Sequence, residues 1–310
     1  MTGDAASGGG VDVDLLATEQ ARPGLDDLDQ RTPAALVDVL LEAESAVPAV
    51  MAAARDTLAE AVALVEQALA AGGRLIYAGA GTPGRLAALD AAECPPTYGV
   101  APDRVVAVLA GGQAASDSAV EGAEDDADAG RRHVTALRPS QRDVVVGISA
   151  SGRTPYVLGA LEAARAAGAR TVAVANNPGS PAAERADVAV ELLTGPEVVA
   201  GSTRMTAGTA QKIALNVLST AAMVRVGRTY GAWMVDVQTT NDKLRRRAAR
   251  IVREVTGVNA ETAEAALSAA DGSTPAALVA LLSGVGPDEA RARLVAAGGR
   301  VRQALQVDRP

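Results

Sequence analysis

Residues 74–99 read RLIYAGAGTPGRLAALDAAECPPTYG, and the order of residue types in this stretch decides the fold. Leu75, Ile76, Tyr77 and Ala78 form a short apolar run suited to a strand buried on both faces. Gly79, Ala80, Gly81, Thr82, Pro83 and Gly84 follow, small enough to let backbone approach a ligand. Thr82 and Pro83 suit the N-cap and first position of a helix. A helix start after a parallel strand turns unpaired N–H groups and a positive dipole end toward the crevice beyond the sheet, which is a site for an anion such as phosphate. The helix is expected over Arg85–Ala92, ended by Pro95 and Pro96. Glu93 would then sit in the last turn, where the dipole opposes its charge, a placement associated with a working acid or base.

The rest of the chain repeats the pattern. Strands are expected at Arg104–Leu109, Asp143–Ile148, Arg170–Ala175 and Val188–Leu192, with helices between them, including one over Ser116–Leu137 and another starting at Pro155. Two helices with a break near Pro48 precede the first strand, and a long helix is expected over Met205–Gly227, capped by Ser202 or Thr203. A basic amphipathic helix over Asn241–Val255 and three short helices around Ala263, Ala277 and Ala290 close the chain, the second capped by Thr274. The expected fold is an α/β three-layer sandwich with a mainly parallel five-stranded sheet plus a small helical C-terminal domain. Residues 1–12 read as a disordered tail, 13–250 as the α/β domain with its N-terminal helices, and 251–310 as the helical domain.

Composition narrows the function classes. Of the 310 residues 48% are apolar but only 2% aromatic, with no Phe, so the core must be built from Ala, Val and Leu. A net charge of −8 argues against non-specific nucleic-acid binding, so an anionic ligand must be held by local N–H groups and a few cations. The single cysteine, Cys94, excludes an intrachain disulfide, and neither a signal peptide nor a membrane span is visible, which gives a soluble cytoplasmic protein as the default.

The candidate chemistry lies in loops at strand ends. Gly79, Gly81 and Gly84 satisfy G-x-G-x-x-G, but the acidic residue a dinucleotide site needs would have to be Asp103, before rather than after the second strand. Hydroxyls in the 79–84 loop and at Ser149, Ser151 and Thr154 favour a monophosphate over NAD, although helix capping is the ordinary use of such residues. On the expected helix, Glu121, Glu124, Asp125 and Asp128 share one face, most simply a solvated one, and His133 is expected to be exposed. Ser202, Thr203, Arg204 and Lys212 fall on the first turns of the long helix, where capping and surface charge are the plain reading.

The segments AGAGTPGRLAALDAAECPPTYG, EGAEDD, GISASGRTPYV, GPEVVAGSTRMTAGTAQK and MVDVQTTNDKL, with a weaker echo in TEQARPGLDDLD near the N-terminus, resemble the N-acetylmuramic acid 6-phosphate etherases of the sugar isomerase (SIS) fold. The resemblance implies cleavage of a D-lactyl ether to give N-acetylglucosamine 6-phosphate and D-lactate in cell-wall recycling. It implies no metal or organic cofactor, a sugar phosphate as small-molecule partner, no nucleic acid or membrane partner, and a homodimer with sites near the subunit interface. It assigns catalysis to Glu93 and Glu124, and binding of substrate and phosphate to Gly81, Thr82, Ser149, Ser151, Arg153, Thr154, Ser202 and Thr203. Two departures stand out: Pro83 replaces the family's usual serine, and the TEQRNP-like motif is altered at residues 18–23. Two other readings keep the phosphate loops: a non-catalytic sugar-phosphate sensor, which needs no paired carboxylates, and an aldose-ketose isomerase, which abstracts a proton without elimination.

Overall fold

A computed structural model describes residues 15–118, 120–236 and 242–306. The expected tail at 1–12 and residues 237–241 of the MVDVQTTNDKL motif lie outside the described residues.

Five short apolar runs become β1 (Leu75–Gly79), β2 (Val105–Leu109), β3 (Val144–Ser149), β4 (Arg170–Ala175) and β5 (Val188–Glu191). They pair in the order β2-β1-β3-β4-β5, and every pairing is parallel. Three helices precede the sheet: α1 (Pro33–Glu44), α2 (Val47–Ala53) and α3 (Arg55–Ala70). Between and after the strands come α4 (Gly81–Tyr98), α5 (Ala114–Asp117), α6 (Ala127–Ala136), α7 (Pro155–Ala166), α8 (Pro181–Arg185) and α9 (Thr206–Arg225). The period of two along each strand sorts the layers. Leu75, Tyr77, Val144, Val146, Val172 and Val174 face a core shared with α3, α4 and α9, while Ile76, Ala78 and Val145 face α6 and α7. Covering both faces is what lets β1, and β3 up to its final Ser149, be apolar, with both strands fully buried.

With no Phe to fill space, the layers close by bringing backbones together. A Cβ on Gly130 of α6 would lie 2.0 Å from the Tyr156 carbonyl oxygen of α7, and one on Gly159 of α7 would lie 2.0 Å from that of Ala127. At the amino edge of the sheet, buried Asp143 ties β1 to β3, accepting from the Arg74 backbone N–H at 2.8 Å and from its guanidinium at 3.1 Å. The opposite, carboxyl edge is left to the loops.

Beyond α9, a hairpin of β6 (Thr229–Tyr230) and β7 (Trp233–Met234) leads to α10 (Asp242–Thr256), α11 (Ala260–Ala269), α12 (Thr274–Ser283), α13 (Pro287–Ala296) and α14 (Val301–Ala304). These helices share their own core, which includes Ala248, Ile251, Val252, Leu278, Ala290 and Val301. Ala248, Ile251 and Val252 are contributed by α10, and a fourth short helix, α14, follows the three expected around Ala263, Ala277 and Ala290. Ser273, not Thr274, caps α12, its hydroxyl accepting from the Ala276 N–H.

Three further local expectations fail for identifiable reasons. α4 does not stop at the prolines but continues to Tyr98. Cys94 and Tyr98 are buried against α9, the Tyr98 hydroxyl bonds Thr220 at 3.0 Å, and Gly99 at φ +62° ends the helix with its N–H on the Pro95 carbonyl. Tertiary packing thus outweighs the roughly 3 kcal/mol that each interior proline costs. Glu93 therefore lies more than a turn inside the helix, and the dipole argument for its role does not apply. The expected helix over Ser116–Leu137 is broken: Gly122 takes φ +70°, Ala123–Asp125 form a 3-10 turn, and Asp126 starts α6 by accepting the Ala129 N–H. Glu121 and Glu124 consequently share no helix face with Asp128. His133 is half-buried rather than exposed, its Nδ1 2.8 Å from the Tyr156 hydroxyl.

Candidate active site

The strand order makes β1 and β3 neighbours whose following helices run to opposite sides, and that reversal opens a crevice at their carboxyl ends where α/β sheets bind ligands. Both hydroxyl-bearing loops border it. After β1, Ala80 occupies the N-cap of α4 and offers no side-chain acceptor, so Thr82 and Pro83 fall within the first turn rather than at its border. The first-turn N–H groups are thereby left for an anion. Pro83 fits there because its missing N–H would have no partner inside the helix. The turn is held against the strand by glycine: a Cβ on Gly84 would lie 2.7 Å from the Gly79 carbonyl oxygen.

After β3, the Ser149 hydroxyl lies 2.7 Å from that of Thr154 and 3.3 Å from that of Ser151. Ser149 accepts the Gly152 N–H at 3.0 Å, and Ser151 accepts the Arg153 N–H at 3.1 Å. Thr154 does not cap α7; its hydroxyl belongs to this cluster. The buried Arg153 Nε has no acceptor among the described residues. Three convergent hydroxyls beside an unpaired guanidinium N–H form a place where an oxyanion can accept several charge-assisted bonds.

Ser202 and Thr203 lie in the turn before α9, and neither caps it. That role falls to Glu197, which is fully buried and accepts the N–H of Thr206 at 3.1 Å and of Ala207 at 2.9 Å. Nothing in the sequence marked this glutamate, because its partners are backbone groups nine and ten residues away. The start of α9 still abuts the start of α4: a Cβ on Gly208 would meet both the Thr82 methyl and the Thr203 carbonyl oxygen at 3.4 Å. The N-terminal segment reaches the same edge. Buried Thr18 accepts from Asn177 Nδ2 at 3.0 Å, the same Nδ2 donates to the Ala150 carbonyl at 3.0 Å, and the Gly201 N–H reaches the Thr18 carbonyl at 3.3 Å. Segments that are remote in sequence therefore meet around the two loops.

Glu93 lies elsewhere, exposed in a groove of about 390 Å³ between α4 and α9. The groove has a polar floor. Asp90 accepts the Tyr77 hydroxyl at 2.8 Å and the Ser219 hydroxyl at 3.0 Å. Burial raises the Asp90 carboxyl above the usual carboxylate range, against those two hydroxyls and the nearby Lys212 ammonium. Burial also pushes the Cys94 thiol up to about 12, which keeps it protonated and inert. Glu124 is exposed in the 3-10 turn, whose Ala123 packs with Ala80, Ala110 and Tyr156 on the α7 face of the sheet. The two glutamates thus flank the sheet on opposite layers, and Glu124 does not line the groove that holds Glu93. Among the described residues no three His, Cys, Asp or Glu side chains are grouped so as to hold a metal ion.

Residues 57–165 match the glucokinase regulatory protein N-terminal SIS domain, and residues 125–221 match the SIS domain. A solved phosphoheptose isomerase from Francisella tularensis is 17% identical, with a TM-score of 0.49 over 62% of this chain and 98% of that one. The N-acetylmuramic acid 6-phosphate etherase of Deinococcus radiodurans is 53% identical over 294 residues, 94% of this chain and 96% of that protein. That of Mycolicibacterium smegmatis is 49% identical over 295 residues, 95% of this chain and 99% of that protein. With about half its residues shared along nearly the whole length of both chains, this protein is an enzyme that belongs to the N-acetylmuramic acid 6-phosphate etherase family.

Proposed function

We propose that this enzyme cleaves the D-lactyl ether of N-acetylmuramic acid 6-phosphate, giving N-acetylglucosamine 6-phosphate and D-lactate in the recycling of cell-wall sugars. The observation that carries the reading is the Ser149, Ser151 and Thr154 hydroxyl cluster beside the uncapped start of α4, in a chain whose relatives carry this name. Gly81, Thr82, Arg153, Ser202 and Thr203 complete the phosphate and sugar site. In the open-chain aldehyde the C2 proton is α to a carbonyl. A base removes it, the electrons form a C2–C3 double bond, and the C3–O bond breaks as an acid protonates the departing lactate oxygen. Water then adds at C3, its oxygen bonding to carbon and its proton returning to C2, which restores the saturated aldehyde. Glu124 is the base and Glu93 the acid.

The protein acts as a cytoplasmic homodimer, and the spacing on α4 supports a site completed by the second copy. Glu93 follows Gly81 by twelve residues of one helix, about 18 Å along its axis, too far for one six-carbon sugar phosphate to touch both in a single chain. Beside the Glu93 groove, Met51, Leu58 and Val62 with Ile213, Val217 and Ala221 of α9 form an apolar strip suited to a second copy. No single helix among the described residues is long and apolar enough to cross a membrane.

The wild type should release D-lactate from N-acetylmuramic acid 6-phosphate; binding without release would favour the sensor reading. For the composite site, Glu93→Ala and the double Ser149→Ala, Ser151→Ala chain are co-expressed with different tags and the mixed dimer purified. One of its two sites is then intact, and roughly half of the wild-type activity should return. An inactive mixed dimer would place each site within one chain.

A further inference from the structure

The groove between α4 and α9 contains a cation that neither the fold nor the phosphate loops use. Lys212 is the only positively charged side chain among the described residues lining it, where it stands with Asp90, Glu93 and Asn216. It is exposed, and no hydrogen bond or ion pair to it is formed among the described residues. Lys212 acts on Asp90 only through space, with no hydrogen bond or ion pair between them, because each Asp90 carboxylate oxygen accepts a hydroxyl instead, from Tyr77 and from Ser219. The neighbouring basic residue Arg85 is committed to the Ser118 carbonyl oxygen at 3.1 Å. Lys212 lies one helical turn beyond Gly208 on α9, on the same chain as the Glu93 groove it lines, so the two groups enter a shared site together.

The substrate proposed above carries two anionic groups at opposite ends. The phosphate has the hydroxyl cluster, Arg153 and the α4 start; the carboxylate of the lactyl group has no partner yet in that account. The lactyl oxygen is the one Glu93 protonates, so the carboxylate two atoms away from it must enter the groove that Glu93 lines. An unpaired ammonium there is a point charge matched to a small carboxylate.

We infer that Lys212 binds the carboxylate of the lactyl group and so selects the lactyl ether over sugar phosphates without that arm, an assignment that rests on the etherase reading of this site. The interaction persists as the bond breaks, because the carboxylate stays with the departing lactate. Lys212 is therefore a specificity residue whose loss falls mainly on substrate binding rather than on the chemical step.

The test is Lys212→Met, which keeps the stem of the side chain at an exposed position and leaves the core untouched. KM for N-acetylmuramic acid 6-phosphate should rise about 10- to 100-fold, as expected for losing a charge-assisted bond, with kcat reduced much less. Inhibition by N-acetylglucosamine 6-phosphate, which has the phosphate but no lactyl group, should stay within about twofold of the wild type. Lys212→Arg should recover part of the KM. An unchanged KM in an active variant would overturn the assignment, and so would a parallel loss of N-acetylglucosamine 6-phosphate inhibition, which would put Lys212 on the phosphate. If the wild type itself releases no lactate, the etherase reading fails first and the assignment falls with it.

Discussion

Glu93→Ala should release no measurable lactate from N-acetylmuramic acid 6-phosphate yet still exchange the C2 hydrogen of the sugar with solvent deuterium. Proton abstraction precedes departure, so a chain that retains Glu124 completes the first half of the reaction and stalls at the second. Glu124→Ala should lose both reactions. A positioned acid or base contributes about 10²- to 10⁴-fold, and losses of that size are expected in each variant. Both side chains are exposed, on α4 and in the 3-10 turn, so neither replacement opens a cavity and both variants should melt near the wild type. The exchange measurement itself divides the roles, because only the base is needed before the C3–O bond breaks. The reverse pattern, with Glu93→Ala blocking exchange and Glu124→Ala permitting it, would exchange the roles. Full etherase activity in either variant would remove that residue from the mechanism.

The double change Ser149→Ala, Ser151→Ala should abolish tight binding of both N-acetylmuramic acid 6-phosphate and N-acetylglucosamine 6-phosphate. Each hydroxyl bond to a charged phosphate contributes about 1.5–3 kcal/mol, so together the loss is on the order of 10²- to 10⁴-fold in affinity. The two hydroxyls also order their own loop, Ser149 through the Gly152 N–H and Ser151 through that of Arg153. Part of the effect is thus lost preorganisation, and the pair will not be strictly additive. Calorimetric titration with N-acetylglucosamine 6-phosphate isolates the phosphate contribution, because that ligand never reaches the chemical step. An unchanged affinity would move the phosphate to another site.

These two experiments probe sites that were legible to different degrees in the primary structure. Ser149, Ser151 and Thr154 were visible because a buried strand followed by small hydroxyl residues and a proline-started helix is a local pattern, set by periodicity and turn chemistry over a few residues. Val144–Ser149 and Pro155–Ala166 appear with little change for that reason. Glu93 was singled out on a local argument, a helix ended by Pro95, and that argument failed. The burial of Cys94 and Tyr98 against α9, more than a hundred residues away, carries α4 through both prolines.

The amino-acid sequence by itself determined the α/β class, the sequence of strands and helices, and the two loops that border the crevice, because hydrophobic period and breaker residues act over short range. It also carried the motifs whose resemblance named the family. Only the tertiary structure decided which groups share a place. Thr18 joins Asn177 and Gly201, Glu197 rather than Ser202 or Thr203 starts α9, and Glu93 and Glu124 lie on opposite layers. Lys212, an ordinary surface charge in the sequence, stands beside Glu93 only because small residues such as Ala87, Ala91, Ala210 and Ala214 let α4 and α9 pack side by side. Such juxtapositions depend on the packing of whole layers, which no local pattern encodes.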